Sequence, residues 1–348
     1  MRIGIIGNFG GGKPSYDGQT IKTVILREEL KNNTDYKFFL VDTYYLKHSV
    51  FKLLFDTLKC IHTCKDVILI LSENGKAVYF PIMYYAKKIF GTRVYHNVIA
   101  GGLPEQTLKH RGWKKYLNSF CVNWVELDAM KKKLEKVGVD NCRVLANFKR
   151  VTIIDDQDIR ECNDQLRLCT FSRVMEEKGI EDAVQAVRNI NEENGDCSCV
   201  LDIYGQIDVG YVERFNQLIK TFPEYISYKG IVDFKKSVDV IKDYDILLFP
   251  THFTTEGFPG TLIDAYSAGM AVIASRIPAT EELIDEWKDG IIYPNQYVNN
   301  LEQSIEWAIG NKEKINRMKH QSLIKAHIYA PENVVKQMRG DIEEFSAQ

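Results

Sequence analysis

The order of apolar segments constrains the fold of this chain more than any other feature. Short runs rich in β-branched and aromatic residues alternate with amphipathic stretches over nearly the whole sequence. This alternation is typical of parallel α/β sheets, because a parallel pair of strands needs a crossover connection that is usually a helix. Helices are predicted between the strands, among others at residues 19–31, 128–137, 180–191, 212–221 and 261–268. The predicted strands are residues 2–7, 37–41, 67–71, 93–99, 121–125, 143–145, 167–171, 199–204, 226–228, 246–249, 271–274 and 291–293.

The number of strands indicates two sheets. Twelve strands are too many for one ordinary doubly wound sheet, whereas two sheets of six fit well. The break falls at residues 151–164, which are polar, acidic and weakly periodic, as a linker is. We therefore predict one Rossmann-like domain at residues 1–150, a second at 165–330, and a last helix at 331–348.

Composition narrows the class of protein. Of the 348 residues, 45% are hydrophobic and 26% are charged, a normal globular balance. No apolar run is long enough for a membrane-spanning helix. The apolar start breaks into glycines after residue 7, so we interpret it as a first strand rather than a signal peptide. The eight cysteines are scattered, without the second ligand pair of a zinc site, and are expected to be reduced cysteines of a cytoplasmic protein.

Charge is distributed unevenly between the two halves. Residues 1–150 carry 25 Lys and Arg against 13 Asp and Glu, and the remainder carries 20 against 34. The basic half is predicted to meet something anionic, such as nucleic acid, a bilayer surface or a phosphorylated acceptor. The alternative is that charge is merely spread unevenly over solvated faces. Nucleic acid is disfavoured because the basic half contains no recognition motif.

The segments that follow the predicted strands are small or polar. Ligands of parallel α/β sheets bind beyond the carboxyl ends of the strands, so these residues are expected to line a cleft between the domains. In the first half they are Asn8 with Gly10, Gly11 and Gly12, then Glu73, Asn74, Gly75, Gly101, Gly102, Glu126 and Asn147. In the second they are Arg173, Gly205, Gly230, Thr251, His252 and Ser275.

Residues 256–275 carry the most informative motif, a loop followed by a helix and a strand. Pro259 is expected in the first helical turn and Gly269 at the helix end. The amides of the first turn have no partner within the helix, so a diphosphate could dock there. Glu256 before the helix and Asp264 one turn inside it could accept hydrogen bonds from two parts of one ligand. Acidic residues near a helix start also stabilise its dipole.

A second motif lies at residues 171–184, after a predicted strand. Arg173 closes the strand, and Lys178 follows within a tight Glu-Glu-Lys-Gly turn. Two cations on one strand-to-helix loop can neutralise a leaving diphosphate. The alternative is a solvated charge cluster.

In this order, the motifs resemble the donor domain of GT-B glycosyltransferases, in particular the retaining family GT4, the glycosyl transferases group 1. Arg173 and Lys178 stand where that family has its arginine and lysine. Glu256 and Asp264 match its E-x7-E element, with Asp in place of the second Glu. A Glu-Leu-Ile sequence at residues 282–284 matches a further acidic position. The resemblance covers residues 165–300.

The first half resembles the acceptor domain of the family less closely. Its opening strand and glycine-rich loop are similar, and Asn147 stands at the usual asparagine. Many members have a histidine in the loop after the fourth strand, where this chain has Ala-Gly-Gly at residues 100–102. His96 falls earlier, and we interpret it as a structural residue of the strand. Glu105 is a candidate polar replacement.

The resemblance implies a GT-B fold, α/β, with two Rossmann-like doubly wound parallel-sheet domains facing a central cleft. It implies an N-terminal acceptor domain and a C-terminal nucleotide-sugar donor domain, and a last helix that crosses back to the first domain. Arg173, Lys178 and Glu256 become the catalytic candidates, and no metal is required because side chains supply the positive charge. The donor-binding candidates are Gly10, Gly11, Gly12, Gly205, Ile231, Gly257, Phe258, Pro259, Gly260 and Asp264.

The implied activity is retaining transfer of a sugar from a nucleotide sugar, with UDP favoured by family frequency. The implied acceptor is a saccharide or a lipid-diphosphate-linked saccharide of bacterial surface polysaccharide biosynthesis. A sugar-nucleotide epimerase of the same fold and a non-catalytic nucleotide-binding subunit are the alternatives.

Peripheral contact with an anionic membrane, on its cytoplasmic face, would bring such a lipid acceptor within reach. Two segments favour it: the basic residues around Trp113, and the apolar-basic stretch at residues 48–59. The alternative for Phe51, Leu54, Phe55 and Leu58 is a stripe that faces the core.

Overall fold

Each predicted apolar run forms a strand in the computed structural model, which describes residues 1–12, 18–99, 101–294 and 298–347. Many of these strands are buried along their whole length, as in β3, because helices cover both faces of a parallel sheet. The strands are β1 (Arg2–Gly7), β2 (Lys37–Asp42), β3 (Asp66–Ile70), β4 (Arg93–Asn97), β5 (Val122–Val125), β6 (Cys142–Val144), β7 (Leu166–Phe171), β8 (Cys199–Tyr204), β9 (Ile226–Gly230), β10 (Ile246–Phe249), β11 (Ala271–Ser275) and β12 (Gly290–Tyr293).

The strands form two six-stranded sheets, with the orders β2-β1-β3-β4-β5-β6 and β12-β11-β10-β7-β8-β9. Neighbouring strands pair in parallel throughout both sheets. The predicted α/β class with two doubly wound parallel sheets is therefore confirmed. In the second sheet the chain order reverses between β7 and β10, and such a reversal opens a crevice at the carboxyl ends of the two strands.

Most helices connect consecutive strands, and α3 shows the sequence signals that start and end a helix. The serine that precedes α3 accepts a hydrogen bond from the amide of Gly75, and Gly91 ends that helix with a φ of 67°. The helices are α1 (Gly18–Asn33), α2 (Val50–Thr63), α3 (Glu73–Phe90), α4 (Leu103–Lys109), α5 (Trp113–Ser119), α6 (Asp128–Lys136), α7 (Ile180–Asn194), α8 (Val212–Ile219), α9 (Ser237–Ile241), α10 (Gly260–Ser267), α11 (Pro278–Leu283), α12 (Val298–Gly310), α13 (Lys312–Ala326) and α14 (Pro331–Ala347).

The chain divides into two compact units. Met1–Lys149 and Pro331–Gln348 form the first unit, and Arg150–Ala330 forms the second. Helix α14 belongs to the first unit because its apolar face, including Met338 and Ile342, is buried in the core of that unit. The indole of Trp124 also donates a 2.6 Å hydrogen bond to Asp341 of this helix.

The helix α2 disagrees with one expectation. The side of this helix that faces the core is formed by Leu53, Cys60 and Ile61. The interpretation of the second apolar stripe, at residues 51, 54, 55 and 58, as core-facing is therefore wrong. That other stripe is exposed: Phe51 91%, Leu54 54%, Phe55 66% and Leu58 49%. Both sides of this helix are apolar, and the packing of the sheet selects the one that is buried.

The tryptophan among the basic residues of the other predicted membrane segment is buried, whereas contact with a membrane requires an exposed side chain. Trp113 is only 4% exposed, and its ring stacks on His110 at a centroid distance of 4.4 Å. It is a core residue, so the exposed aromatic–basic surface predicted around it is absent.

His96 lies inside β4, as predicted, and is fully buried. Its Nδ1 lies 3.1 Å from the side-chain oxygen of Asn123. Burial, with the nearby charge of Lys76, lowers the pKa of His96 to about 3.

In the unfolded chain this histidine becomes protonated as the pH falls through about 6.5. In the folded chain it stays neutral until about pH 3. The stability that neutral His96 supports is lost as the pH falls below 6.5, by about 2 kcal/mol at pH 5. We expect His96→Gln to flatten the dependence of the free energy of unfolding on pH over this range, as measured by urea denaturation. The exposed His62→Gln serves as the control, and an unchanged slope in His96→Gln would contradict the prediction.

Candidate functional site

The crevice between β7 and β10 brings together two loops of the second unit. The β7 loop (residues 172–179) follows Phe171, and the β10 loop (residues 250–259) follows Phe249. The two strands are hydrogen-bonded neighbours although some 80 residues separate them in the chain. Every catalytic candidate of the sequence lies on one of these two loops.

Main-chain contacts fix one loop against the other. The carbonyl of Glu177 accepts a hydrogen bond from the Thr251 hydroxyl at 3.1 Å and another from the His252 amide at 2.7 Å. Gly179 has a φ of 66°, and a Cβ there would lie 1.9 Å from the carbonyl oxygen of Pro250. Glycine is required at this position because only a residue without a side chain allows so close an approach.

The central feature of the crevice is an ion pair between the two loops. Nζ of Lys178 lies 2.6 Å from Oε2 of Glu256, and the two side chains are 13% and 15% exposed. Nζ also lies 5.5 Å and 5.8 Å from the ring centres of Phe249 and Phe253. The sequence predicted these two residues for different parts of one ligand, and the structure shows that they contact each other directly.

Arg173 stands apart from this pair. Its side chain is 58% exposed, and its Nη1 lies 3.7 Å from a carboxylate oxygen of Asp208. An exposed ion pair at this distance contributes little stability, so the guanidinium can exchange it for another anion at small cost.

Pro259 lies just outside helix α10 rather than in its first turn. Pro259 is the N-cap, with φ −68° and ψ 120°, and Gly260 is the first helical residue. Proline was expected inside the first turn, but its carbonyl instead accepts the Leu262 amide from outside the helix. Gly269 follows the helix with a φ of 61°, as predicted for its end. Next to the N-cap, Phe258 is 4% exposed, and its ring contacts that of Tyr329 at 4.8 Å.

Asp264 lies one turn inside α10 and is 1% exposed. Its Oδ1 accepts a 2.8 Å hydrogen bond from the hydroxyl of Ser237, the first residue of α9. The carboxylate is therefore oriented by a neighbouring helix. Its role toward a ribose stays a prediction.

Gly205 and Ile231 follow the next two strands of the sheet. A Cβ at Gly205, whose φ is 141°, would lie 1.7 Å from the carbonyl oxygen of Ser172. This glycine thus allows the end of β8 to pack against the β7 loop. Ile231 is 64% exposed, an accessible apolar side chain beyond β9.

The glycine-rich loop of the first unit holds a left-handed backbone at Gly10, Gly11 and Gly12, with φ of 78°, 62° and 81°. The amide of Gly10 donates to the side chain of Asn8 at 3.0 Å, and that of Gly11 donates to Asp42 at 2.8 Å. Two of the three amides assigned to a phosphate are thus engaged with side chains. Binding of a phosphate by this loop stays a prediction, and the rest of the motif, residues 13–17, lies outside the described residues.

Glu105, the candidate polar replacement on the predicted acceptor side, is exposed in the first turn of α4. Gly101 and Gly102 directly precede this helix. The Ala100 that completes the predicted Ala-Gly-Gly loop lies outside the described residues.

Three polar groups near the crevice were assigned no chemical role from the sequence. His252 Nε2 lies 2.6 Å from Asp182 on α7, the Thr261 hydroxyl at the start of α10 is buried without a hydrogen-bond partner among the described residues, and Ser237 holds Asp264. Only His252 carried a signal in the sequence, since it follows a predicted strand. The others depend on helices that meet only in the folded chain.

Known proteins match this chain in sequence and in fold. Residues 165–311 match the family model described as glycosyl transferases group 1. An uncharacterized glycosyltransferase of Methanocaldococcus jannaschii, MJ1069, is 25% identical over 267 residues, which are 75% of this chain and 61% of that protein. WcaL of Escherichia coli K12, named as a colanic acid biosynthesis glycosyltransferase, is 24% identical over 185 residues, 50% of this chain and 44% of that protein. The matches thus span about half of each relative.

The fold matches over the whole chain. HepE of Anabaena, solved in complex with UDP, superposes with a TM-score of 0.76 at 14% identity, covering 99% of this chain and 100% of HepE. The predicted resemblance is confirmed by the family model, the two relatives and this likeness in fold. Residues 165–311 of this chain thus resemble the group 1 glycosyltransferases, family GT4, and the chain has the GT-B fold.

Proposed function

We propose that this protein is a retaining glycosyltransferase that moves a sugar from a UDP-sugar to a saccharide or lipid-linked saccharide acceptor. The observation that carries the proposal is the ion pair between Lys178 and Glu256. It places a cation and a carboxylate side by side at the switch point of a parallel sheet, where nucleotide ligands of such sheets bind.

Lys178 and Arg173 would stabilise the departing diphosphate. Negative charge develops on the leaving group as the bond to the anomeric carbon breaks, so a cation held in a poorly hydrated site lowers the barrier. Lys178 is fixed by the β10 loop before any ligand arrives. Arg173 is exposed and weakly paired, and it would turn toward the phosphates as the donor binds.

Glu256 would bind hydroxyls of the transferred sugar, together with the backbone of Gly257 and Phe258. Donor phosphates would also receive hydrogen bonds from the first amides of α10, at Gly260 and beyond, which are directed out of the helix start. Since Glu256 is held by Lys178, the arrival of the phosphates and the release of the carboxylate toward the sugar would be coupled.

UDP is favoured as the carrier because HepE, which shares the whole fold, is solved in complex with UDP-glucose. An apolar contact from Ile231 and a ribose contact from Asp264 would complete the nucleotide site. The name of WcaL points to polysaccharide biosynthesis, and we extend that role to this chain with the first unit as the acceptor domain, at the inner face of the cell membrane.

Thermal unfolding with a panel of nucleotides and nucleotide sugars, without metal, tests the donor site. A ligand at about 100 times its Kd stabilises the folded chain by about 2.7 kcal/mol, which corresponds to a rise in Tm of roughly 5 °C or more. We expect UDP and one UDP-sugar to produce this shift. Asp264→Asn should lose most of it relative to its own unliganded Tm, while the exposed Glu224→Ala should retain it.

The other outcomes separate the alternatives. A shift with a UDP-sugar followed by its isomerisation without acceptor would identify an epimerase. The absence of a shift with every nucleotide would favour a non-catalytic subunit and contradict the proposed donor site.

A further inference from the structure

Helix α2 presents to solvent an apolar face that does not pack into the core of the first unit. Its buried side is formed by Leu53, Cys60 and Ile61, with Thr57. The exposed residues are spaced by one, three and four positions, so they lie together on the opposite side of the helix. They are Val50 63%, Phe51 91%, Leu54 54%, Phe55 66% and Leu58 49% exposed.

The apolar face continues onto α3. The two helices are neighbours, since the hydroxyls of Thr57 and Tyr79 lie 2.9 Å apart. At the far end of α2, the ring of His62 contacts that of Phe90 at a centroid distance of 5.0 Å. Phe90 is 48% exposed, and Ile89 beside it is 69% exposed. We call these exposed residues of α2, together with Ile89 and Phe90, the α2 face.

Lysines surround the α2 face. Six exposed lysines lie on α2, on its flanks or at the end of α3, whereas Asp56 is the one acidic residue between positions 43 and 65. Asp56 is already paired with Lys52 at 3.3 Å. The lysines are Lys47, Lys52, Lys59, Lys65, Lys87 and Lys88.

We propose that the α2 face is a docking surface for an anionic lipid bilayer. Phenylalanine and leucine on one helical face, flanked by lysines, are what an interfacial helix inserts below the headgroups. The lysines would add attraction to anionic lipids. A second copy of this chain fits less well, because a two-fold contact would bring two lysine-rich surfaces together. Among the described residues no helix is long and apolar enough to cross a membrane.

The biological use of this surface rests on the proposed function, because it depends on a lipid-linked acceptor. A chain held at the bilayer would meet a lipid-diphosphate-linked acceptor by diffusion in two dimensions. Binding to the bilayer itself can be measured without donor or acceptor.

Flotation of the full-length protein with vesicles tests the proposal. Vesicles of phosphatidylcholine with phosphatidylglycerol are compared with phosphatidylcholine alone. We expect the protein to float with the anionic vesicles and Phe51→Ser/Phe55→Ser to reduce its partition coefficient about tenfold or more. The matched control is Ile324→Ser/Ile328→Ser, which removes two side chains of the second unit that are 62% and 61% exposed and also four positions apart.

Charge is tested separately from the apolar anchor. Lys59→Gln/Lys65→Gln should weaken binding to anionic vesicles by about tenfold or more and reduce its sensitivity to salt. The phenylalanines are so exposed that their replacement should leave Tm unchanged. Each variant is also tested for the thermal shift with UDP, so that failure of the donor site and failure of the membrane surface are read independently.

Two results would overturn the proposal. One is flotation that does not change in Phe51→Ser/Phe55→Ser. The other is no flotation of the parent protein, together with a dimer in analytical ultracentrifugation that this variant converts to a monomer. The second result would assign the α2 face to self-association.

Discussion

Replacement of Lys178 by alanine is expected to lower kcat/KM for sugar transfer by about 100- to 1,000-fold, the effect of removing one preorganised group that stabilises charge in a transition state. Lys178 is 13% exposed and contacts Glu256 at 2.6 Å, so water replaces its ammonium group poorly. The loss should appear mainly in kcat, because the charge of the leaving diphosphate grows as the bond breaks.

The design of the experiment separates charge from packing. Lys178→Arg keeps a cation and should retain part of the activity, while Lys312→Ala removes the lysine of an exposed pair with Asp164 and should retain all of it. Glu256→Gln is combined with Lys178→Ala in a double-mutant cycle, because residues in direct contact should not lose activity additively. A folded Lys178→Ala that keeps full kcat/KM would show that the leaving-group role is wrong.

Gly205→Ala is expected to destabilise the second unit by about 3 kcal/mol, through a strained backbone and a steric clash at the same residue. The φ of 141° at Gly205 is unfavourable for any residue with a side chain, and the new Cβ would lie 1.7 Å from the carbonyl oxygen of Ser172. Relief of the clash requires the β7 loop to move. We therefore also expect weaker binding of UDP by this variant.

Hydrogen exchange measured by mass spectrometry reads the two units separately. Faster exchange of β7 and β8 in Gly205→Ala, with the first unit unchanged, is the expected result. Gly310→Ala is the matched control, since its new Cβ would meet no heavy atom of the described residues within 4 Å apart from the adjoining residues and backbone of its own helix. Equal protection of the second unit in Gly205→Ala and in Gly310→Ala would contradict the prediction.

The strands could be predicted from the sequence because they are buried on both faces. Continuous apolar runs such as residues 246–249 have no alternative environment in a folded domain, and the breaks between them fix the element order. The glycine, proline and charged residues of the β7 and β10 loops were found for a similar reason. They follow the carboxyl ends of strands, where a parallel sheet collects its ligand-binding residues.

The contacts within the site depended on tertiary structure. Lys178 and Glu256 are 78 residues apart, and they meet because β7 and β10 pair in parallel while the intervening strands lie elsewhere in the sheet. Glycine is required at position 179 because the carbonyl of Pro250 lies close to it. The residues around position 179 give no signal of that distant contact. Asp264 owes its orientation to Ser237 in the same way.

The α2 helix shows where periodicity stops being informative. Its sequence determined an amphipathic helix with basic flanks, but apolar residues occupy two sides of it, and a helical period alone does not distinguish the buried side from the exposed one. The packing of Leu53, Cys60 and Ile61 into the core decided which side is left to solvent. The sequence by itself thus determined the elements, their order and the loops that carry charge. Tertiary structure alone decided which side chains meet and which apolar face stays uncovered, because both depend on contacts between residues distant in the chain.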